Sequence, residues 1–157
     1  MSGNQFNKHV DNANYLLQSL IKSERYIVSK CPKFEQKTPA IYVFYKDGEA
    51  VYVGRTRNLY QRLKDHTRKN RFSASFALKN TRIMHKKTKA YGNTSDPNKM
   101  TSKDIVETYA ETFQNEVEKI KLMEFCFIKV KDPLDQYILE LLATLHFKLP
   151  TDGFDTH

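Results

Sequence analysis

The sequence predicts an α+β protein: a small three-stranded antiparallel sheet flanked by helices. Two short runs rich in β-branched and aromatic residues, 40–45 and 50–53, stand on either side of a Lys-Asp-Gly turn. A third such run follows much later, at 121–130. Stretches with helical periodicity precede, separate and follow the three runs. Because the apolar face of a sheet must be covered, we expect these helices to pack on it.

The chain begins with a predicted helix from residue 6 to about residue 29. Its apolar residues recur at a helical period, at Val10, Tyr15, Leu16, Leu20 and Ile21. Two prolines in segment 30–39 end the pattern. At this chain length we expect one compact domain overall, with residues 1–38 as an N-terminal helical extension and 39–157 as the main domain.

The turn after the first strand decides where two tyrosines point. A two-residue loop at 47–48 sends Tyr42 and Tyr52 to opposite faces of the hairpin. A three-residue loop at 46–48, with its glycine left-handed in a bulge, places Tyr42 directly opposite Tyr52 on one face. The sequence permits either loop. We predict the second, because a shared site for the two tyrosines requires an odd-length loop or a bulge.

The helix that follows the hairpin carries two candidate functional residues. Asn58 can cap this helix, which we expect to run to about Lys69. Arg62 and His66 lie one turn apart, beside the leucines that mark the packed face. Both side chains are therefore turned toward the sheet, where a charged group needs a partner or a function.

Three further helices are expected, separated by one long loop. Their ranges are 73–87, 104–120 and 133–147, and the last has Asp132 as its cap and a proline at its first position. Segment 89–101 is polar and is interrupted by glycine and proline, which is typical of a loop.

Positive charge is concentrated in one part of the chain. The net charge is +8, but between Arg55 and Lys103 there are 14 Lys and Arg against 2 Asp and Glu. The rest of the chain has 12 basic and 16 acidic residues. Such a one-sided basic segment favours a polyanionic partner such as nucleic acid.

Several other classes of function have no signal in the sequence. There is no glycine-rich phosphate loop and no apolar run long enough for a secretory signal or a membrane span. The two cysteines show no ligand spacing, so we expect a reducing, intracellular (cytoplasmic) setting.

The ordered motifs resemble the core of the GIY-YIG nuclease family. They are Ala40-Ile41-Tyr42, Tyr52-Val53-Gly54, Arg62 and His66 on the next helix, and Leu139-Glu140 on the final helix. The resemblance covers 40–157, roughly three quarters of the chain. Ala40 replaces the glycine of the first motif. Asp152 stands where the family has an asparagine, and it is either a second metal contact or a surface residue.

The resemblance implies a metal-dependent endonuclease that hydrolyses phosphodiester bonds in DNA. It implies Tyr42 as general base toward water, with Tyr52 and His66 around it. Arg62 would clamp the phosphoryl oxygens, and Glu140 would hold one Mg²⁺ or Mn²⁺ ion. Whether Tyr42 or His66 takes the proton stays open.

The metal-binding role of Glu140 rests on the resemblance. The apolar residues that predict the packed face of the final helix form one stripe. They are Leu134, Ile138, Leu141 and Leu145. Glu140 lies well away from this stripe, so the pattern alone predicts a solvated side chain, and Glu124 is an equal candidate.

The expected partner is double-stranded DNA, with no membrane involved. Basic residues that flank the candidate site are expected to contact phosphates. They are Arg55, Arg57, Lys64, Lys69 and Arg71. One active site cuts one strand, so double-strand cleavage needs a homodimer or two visits. The alternative is a non-cleaving DNA-binding module on the same fold, which has no reason to retain Tyr42, Arg62 and Glu140 together.

Overall fold

The computed structural model describes residues 3–34 and 37–152. The helices are α1 Gly3–Lys22, α2 Leu59–His66, α3 Ser75–Met84, α4 Ser102–Thr108, α5 Ala110–Leu122 and α6 Pro133–His146. The strands are β1 Tyr26–Ile27, β2 Ala40–Lys46, β3 Glu49–Thr56, β4 Thr88–Lys89, β5 Lys99–Met100 and β6 Glu124–Lys129. The chain forms two compact units, the first from Met1–Tyr60 with Met123–His157 and the second from residues 61–122. The predicted α+β class is confirmed.

The first unit contains an antiparallel sheet with the strand order β1-β6-β2-β3. Its three longer strands are the three that the sequence predicts. The fourth strand, β1, is two residues long and pairs Tyr26 with Phe125 at the edge. A strand of two residues is too short to show a periodic pattern in the sequence. It lies within the range predicted for the first helix, and that helix ends at Lys22 instead.

One face of this sheet is covered by α1 and α6, which also pack on each other. The buried side chains between the sheet and the two helices form the core of the first unit. They include Leu17 and Leu20 of α1, Ile41, Val43 and Tyr45 of β2, and Leu139 and Ala143 of α6. Helix α1 therefore contributes directly to this core. The expected division at residue 38 stays a prediction.

The other face of the sheet is lined with aromatic rings. They are Tyr26, Phe34, Tyr42, Phe44, Tyr52, Phe125 and Phe127, each with its ring centroid within 6.3 Å of a neighbour. Tyr42 and Phe44 are fully buried there. The alternation of β2 thus separates a mainly aliphatic face, which includes Tyr45, from an aromatic one.

The second unit is mainly helical, with α3 packed on α4 and α5. The single helix expected over 104–120 is two helices, with Tyr109 as the C-cap of α4. Strands β4 and β5 form a short parallel pair at the two ends of the predicted loop. None of the helices in the described ranges has both the length and the apolar character needed to cross a membrane.

Candidate active site

The turn between β2 and β3 is two residues long, so the predicted three-residue loop is wrong. Asp47 and Gly48 both have positive φ, at 51° and 82°, and Lys46 pairs with Glu49. These are the dihedrals of the tight hairpin turn whose twist matches that of the strands. Aspartate and glycine tolerate left-handed backbone better than most residues, which favours this shorter turn.

A β-bulge further along the hairpin restores the shared face of the two tyrosines. The pairing shifts between Phe44 and Tyr45, and Val51 becomes the extra residue on β3. Because one added residue inverts the alternation of side chains, Tyr52 lies opposite Phe44 and on the same face as Tyr42. The prediction that the tyrosines share a face is confirmed, through a bulge instead of the longer loop.

The two tyrosines are diagonal neighbours on that face. Tyr42 pairs with Gly54, and its ring centroid is 6.1 Å from that of Tyr52. The ring of Phe44 contacts both of them, with centroid distances of 5.4 Å to Tyr42 and 5.6 Å to Tyr52. Tyr42 is buried and Tyr52 is half-buried, so packing fixes the orientation of both phenols.

The glycine of the second motif makes room for the first tyrosine. A Cβ atom added to Gly54 would lie 2.6 Å from Cε1 of Tyr42, and it would overlap Cζ and the hydroxyl oxygen of the same ring. The ring of Tyr42 therefore lies directly across the backbone of β3. This contact gives a steric reason for glycine at a strand position where a side chain would usually stabilise the sheet.

Helix α6 does not pack through its leucine stripe as the sequence predicted. Leu134, Leu141 and Leu145 are 45%, 45% and 57% exposed. The side chains buried on this helix are Gln136, Leu139, Ala143 and Thr144. Small residues let α6 lie close to its neighbours, and a buried glutamine is acceptable where its amide is bonded. Glu140 projects beside this buried face, so its predicted solvation is wrong.

Gln136 anchors the first turn of α6 to the sheet. Its Nε2 donates to the carbonyl oxygens of Thr56 at 3.0 Å and Val130 at 2.9 Å, at the ends of β3 and β6. Glu140 follows one helical turn later, so it projects from the same side of the helix. Sequence reasoning missed this residue, because nothing in a local pattern shows which glutamine will meet two strand ends.

The carboxylate of Glu140 is bound by Arg55. The Nε atom of Arg55 donates to Oε2 at 2.7 Å, and the side chains are 36% and 20% exposed. The guanidinium carbon of Arg55 also lies 3.8 Å from the centroid of the Tyr137 ring. Arg55 was expected to contact phosphate, and its pairing with the candidate metal ligand had no signal in the sequence.

The donor set at Glu140 fits a hard divalent cation held by few protein groups. A carboxylate is the usual protein ligand for Mg²⁺, which keeps several waters and often takes further ligands from a substrate phosphate. Among the described residues, no three His, Cys, Asp or Glu side chains converge. Asp152 is exposed, and the rest of the tail that carried the family signature lies outside the described residues. Glu140 thus suits a weak site that substrate completes.

The second unit holds Arg62 in a defined orientation. Its Nη1 donates to the carbonyl oxygen of Ser73 at 3.2 Å, and its Nη2 donates to Oγ of Ser75 at 2.6 Å. His66, one turn later on α2, is fully buried. Burial and the positive charge of Arg62 hold the pKa of His66 well below its usual value of 6.5. The imidazole is therefore neutral at neutral pH, and its burial beside Arg62 opposes protonation.

The other expected phosphate contacts differ in their surroundings. Arg57 donates to the carbonyl oxygen of Lys131 at 2.9 Å. Lys64 is exposed on α2, and Lys69 lies 3.4 Å from a carboxylate oxygen of Glu118. Arg71 has its guanidinium over an aromatic ring, at 4.5 Å. All remain candidates for contact with phosphate.

Comparison with protein-family models gives a match. The family model of the GIY-YIG catalytic domain matches residues 39–141, which is well over half of the chain. The matched range contains Tyr42, Tyr52, Arg62 and His66, and it ends one residue after Glu140. The searches of curated proteins and of solved structures returned no match.

Proposed function

The chain belongs to the GIY-YIG catalytic-domain family, a family of nucleases, and from this premise we propose that it is a metal-dependent endonuclease that hydrolyses phosphodiester bonds in DNA. The observation that carries the proposal is the placement of Tyr42 and Tyr52, whose rings lie 6.1 Å apart on one face. The two-residue turn alone would separate them, and the bulge at Val51 brings them together. Bulges of this kind are frequent beside active sites, where they re-aim a side chain.

In the proposed reaction, Tyr42 takes a proton from the attacking water. A phenol has an ordinary pKa of about 10, so at neutral pH it needs nearby positive charge or a second proton acceptor. His66 is a weak base, because burial and the positive charge of Arg62 depress the pKa of its imidazole, so positive charge near Tyr42 is the help that we propose. Tyr52 supports the orientation of Tyr42 through the shared aromatic face.

Arg62 is the proposed clamp on the non-bridging phosphoryl oxygens. Its guanidinium is always charged and matches the geometry of phosphate oxygens. The bonds to Ser73 and Ser75 hold it in place before substrate arrives, so little reordering accompanies binding. Glu140 would hold the Mg²⁺ or Mn²⁺ ion, which when bound stabilises the charge on the leaving 3′ oxygen.

A plasmid assay tests the proposal. Wild-type protein should nick supercoiled plasmid in Mg²⁺ and not in EDTA, and Tyr42→Phe and Glu140→Ala should each lower the rate about 100-fold or more. Tyr45→Phe is the matched control, since it also removes one hydroxyl from a buried tyrosine of β2, but on the opposite face. This control should cleave at close to the wild-type rate.

The alternative function is DNA binding without cleavage. A wild-type protein that shifts the plasmid in a gel but leaves it intact in Mg²⁺ would support this alternative and end the nuclease proposal. Nicking that persists at the wild-type rate in both site variants would assign the activity to other residues or to a contaminant.

The proposal extends to double-stranded DNA as substrate. One active site cleaves one strand, so two cuts require either a homodimer or two successive visits. Two visits predict that nicked circles accumulate before linear DNA, whereas a dimer predicts linear product from the earliest times. Cut-site mapping on defined duplex, flap and single-strand substrates then separates the possible classes of target.

A further inference from the structure

Phe72 has the highest exposure of the large apolar side chains that the structure describes, at 80%. It lies in the turn between α2 and α3 of the second unit, in a part of the chain rich in arginine and lysine. Single exposed apolar residues are common on protein surfaces. Phe72 differs from such isolated residues because its backbone is held by a hydrogen bond and a cation lies over its ring.

The turn that carries Phe72 is ordered by hydrogen bonds. The side-chain oxygen of Asn70 accepts the backbone N–H of Phe72 at 2.8 Å. The carbonyl oxygen of Asn70 accepts the N–H groups of Ser73 at 3.3 Å and Ala74 at 3.2 Å. Ala74 is fully buried, so the turn is tied to the interior of its unit. The ring is therefore presented to solvent by a fixed backbone.

A cation lies over the ring of Phe72. The guanidinium carbon of Arg71 is 4.5 Å from the ring centroid, which is a cation–π distance. With the ring 80% exposed, the face away from Arg71 is open. An aromatic face for a base beside a cation for the backbone is the combination with which proteins hold unpaired nucleic acid strands.

The same turn holds the proposed phosphate clamp. Arg62 donates to the carbonyl oxygen of Ser73, the residue after Phe72, at 3.2 Å and to Oγ of Ser75 at 2.6 Å. The aromatic ring and the guanidinium are thus fixed to one short backbone segment. A nucleotide whose phosphate is bound by Arg62 brings a neighbouring base close to this turn.

We propose that Phe72 is a stacking platform for an unpaired nucleobase next to the cleaved phosphate, and that the preferred substrate is duplex DNA with an unpaired or unstacked base at the cleavage position. This inference rests on the proposed function. A ring that enters an intact duplex must first unstack a base step, which costs about a few kcal/mol. An unpaired base is available without that cost, so the platform favours DNA that already contains one.

The test compares two duplexes that differ in one position. One is fully paired, and the other carries a single unpaired 2-aminopurine, and both are titrated in EDTA so that cleavage does not interfere. Phe72→Ala should weaken binding of the second duplex about tenfold. It should change binding of the paired duplex less than about twofold and abolish the fluorescence change of the 2-aminopurine.

Three further variants make the result specific. Phe72→Trp should retain the wild-type affinity, because it keeps an aromatic face. Phe72→Leu should behave like Phe72→Ala, and wild-type binding by this variant would overturn stacking as the interaction. Tyr15→Ala is the matched control, since Tyr15 is 71% exposed on α1 outside the basic segment, and it should have no effect.

The remaining outcomes separate this inference from the proposed function. If wild-type protein binds neither duplex, both fail. If it binds both duplexes and Phe72→Ala binds them equally well, the stacking role fails and the nuclease proposal stands. An equal loss on both duplexes would mean a general effect on the turn and would also overturn the inference. Thermal unfolding should show no change in Phe72→Ala, because the side chain is so exposed.

Discussion

Arg55 and Glu140, 85 residues apart in the chain, form a hydrogen-bonded ion pair at 2.7 Å between Nε and Oε2. The ring of Tyr137 packs against the guanidinium group of Arg55, with the ring centroid 3.8 Å from the guanidinium carbon. The positive charge of the Arg55 guanidinium repels a cation that approaches the same carboxylate. If Glu140 binds a metal as we propose, Arg55 therefore opposes that binding, and a phosphate that draws Arg55 away would strengthen it.

Removing the arginine should raise the affinity for metal in the absence of DNA. Partly exposed ion pairs contribute up to about 1 kcal/mol, so Arg55→Gln should tighten Mn²⁺ binding by up to about fivefold. The measurement is the free Mn²⁺ signal in electron paramagnetic resonance during a titration. Arg57→Gln is the matched control, because Arg57 carries the same charge but bonds a backbone carbonyl. Equal changes in the two variants would show a general effect of net charge and would contradict the competition.

Gly54 should not tolerate a side chain. Alanine has a higher strand propensity than glycine, by less than about 1 kcal/mol, but its Cβ would overlap the buried ring of Tyr42. Gly54→Ala should therefore destabilise the protein by about 1–3 kcal/mol in urea unfolding and should also lower nicking. Gly92→Ala is the control, since an added Cβ there meets nothing within 4 Å. Wild-type stability in Gly54→Ala would mean that Tyr42 does not depend on this contact.

Burial of His66 should make the protein less stable in mild acid. Its folded-state pKa is depressed by burial first and by Arg62 second, while the unfolded chain takes up a proton near pH 6.5. Above that pH His66 is neutral in both the folded and the unfolded state, and the full stability is present. As pH falls below it, the unfolded state gains a proton that the folded state does not, and stability decreases by up to about 1.4 kcal/mol per pH unit.

Urea unfolding between about pH 5 and pH 8 measures this slope. His66→Gln should make the curve flatter below the pKa of free histidine, whatever its effect on stability at neutral pH. His146→Gln, which removes an exposed histidine of α6, is the matched control, and an equal flattening in both variants would contradict the assignment to His66. A slope that survives in His66→Gln would assign the acid sensitivity to other groups.

The elements of the fold were largely predictable, because their signals are local. The strand runs, the proline-opened final helix and the polar loop all follow from short stretches of sequence. The bulge at Val51 was not predictable, because the register of a strand depends on its partner strand. The residues of β3 alternate equally well in either register. The shared face of the tyrosines was predicted from what a common site requires, but we predicted a three-residue loop to produce it and named a bulge only as an alternative.

The supporting residues of the candidate site escaped prediction for a related reason. Tyr42, Arg62, His66 and Glu140 stand at recognisable spacings. Gln136 and Arg55 have roles that depend on partners distant in the chain. The stripe of leucines on α6 predicted the wrong face of that helix as the buried one. Burial of a polar residue depends on whether a strand end offers it a bond, and that is a property of the assembled fold.

Loss of the amide of Gln136 should loosen the link between α6 and the sheet. Gln136→Leu keeps a similar volume but leaves the carbonyl oxygens of Thr56 and Val130 without this donor in a buried setting. The expected cost is about 1–3 kcal/mol in urea unfolding, since unsatisfied buried groups lose their solvation. Gln18→Leu, at an exposed position of α1, is the control and should be near neutral.

The same substitution should also affect the proposed metal site, through Glu140. With the first turn of α6 less firmly held, the carboxylate one turn later is less well placed, and positioning errors of this kind reduce rate more than binding. Gln136→Leu should therefore lower nicking under conditions where the protein remains fully folded, while DNA affinity measured in EDTA stays close to wild type. Equal losses of nicking and of DNA affinity would instead mean that the variant has a smaller folded fraction, and Gln136 would then have no separate role in positioning Glu140.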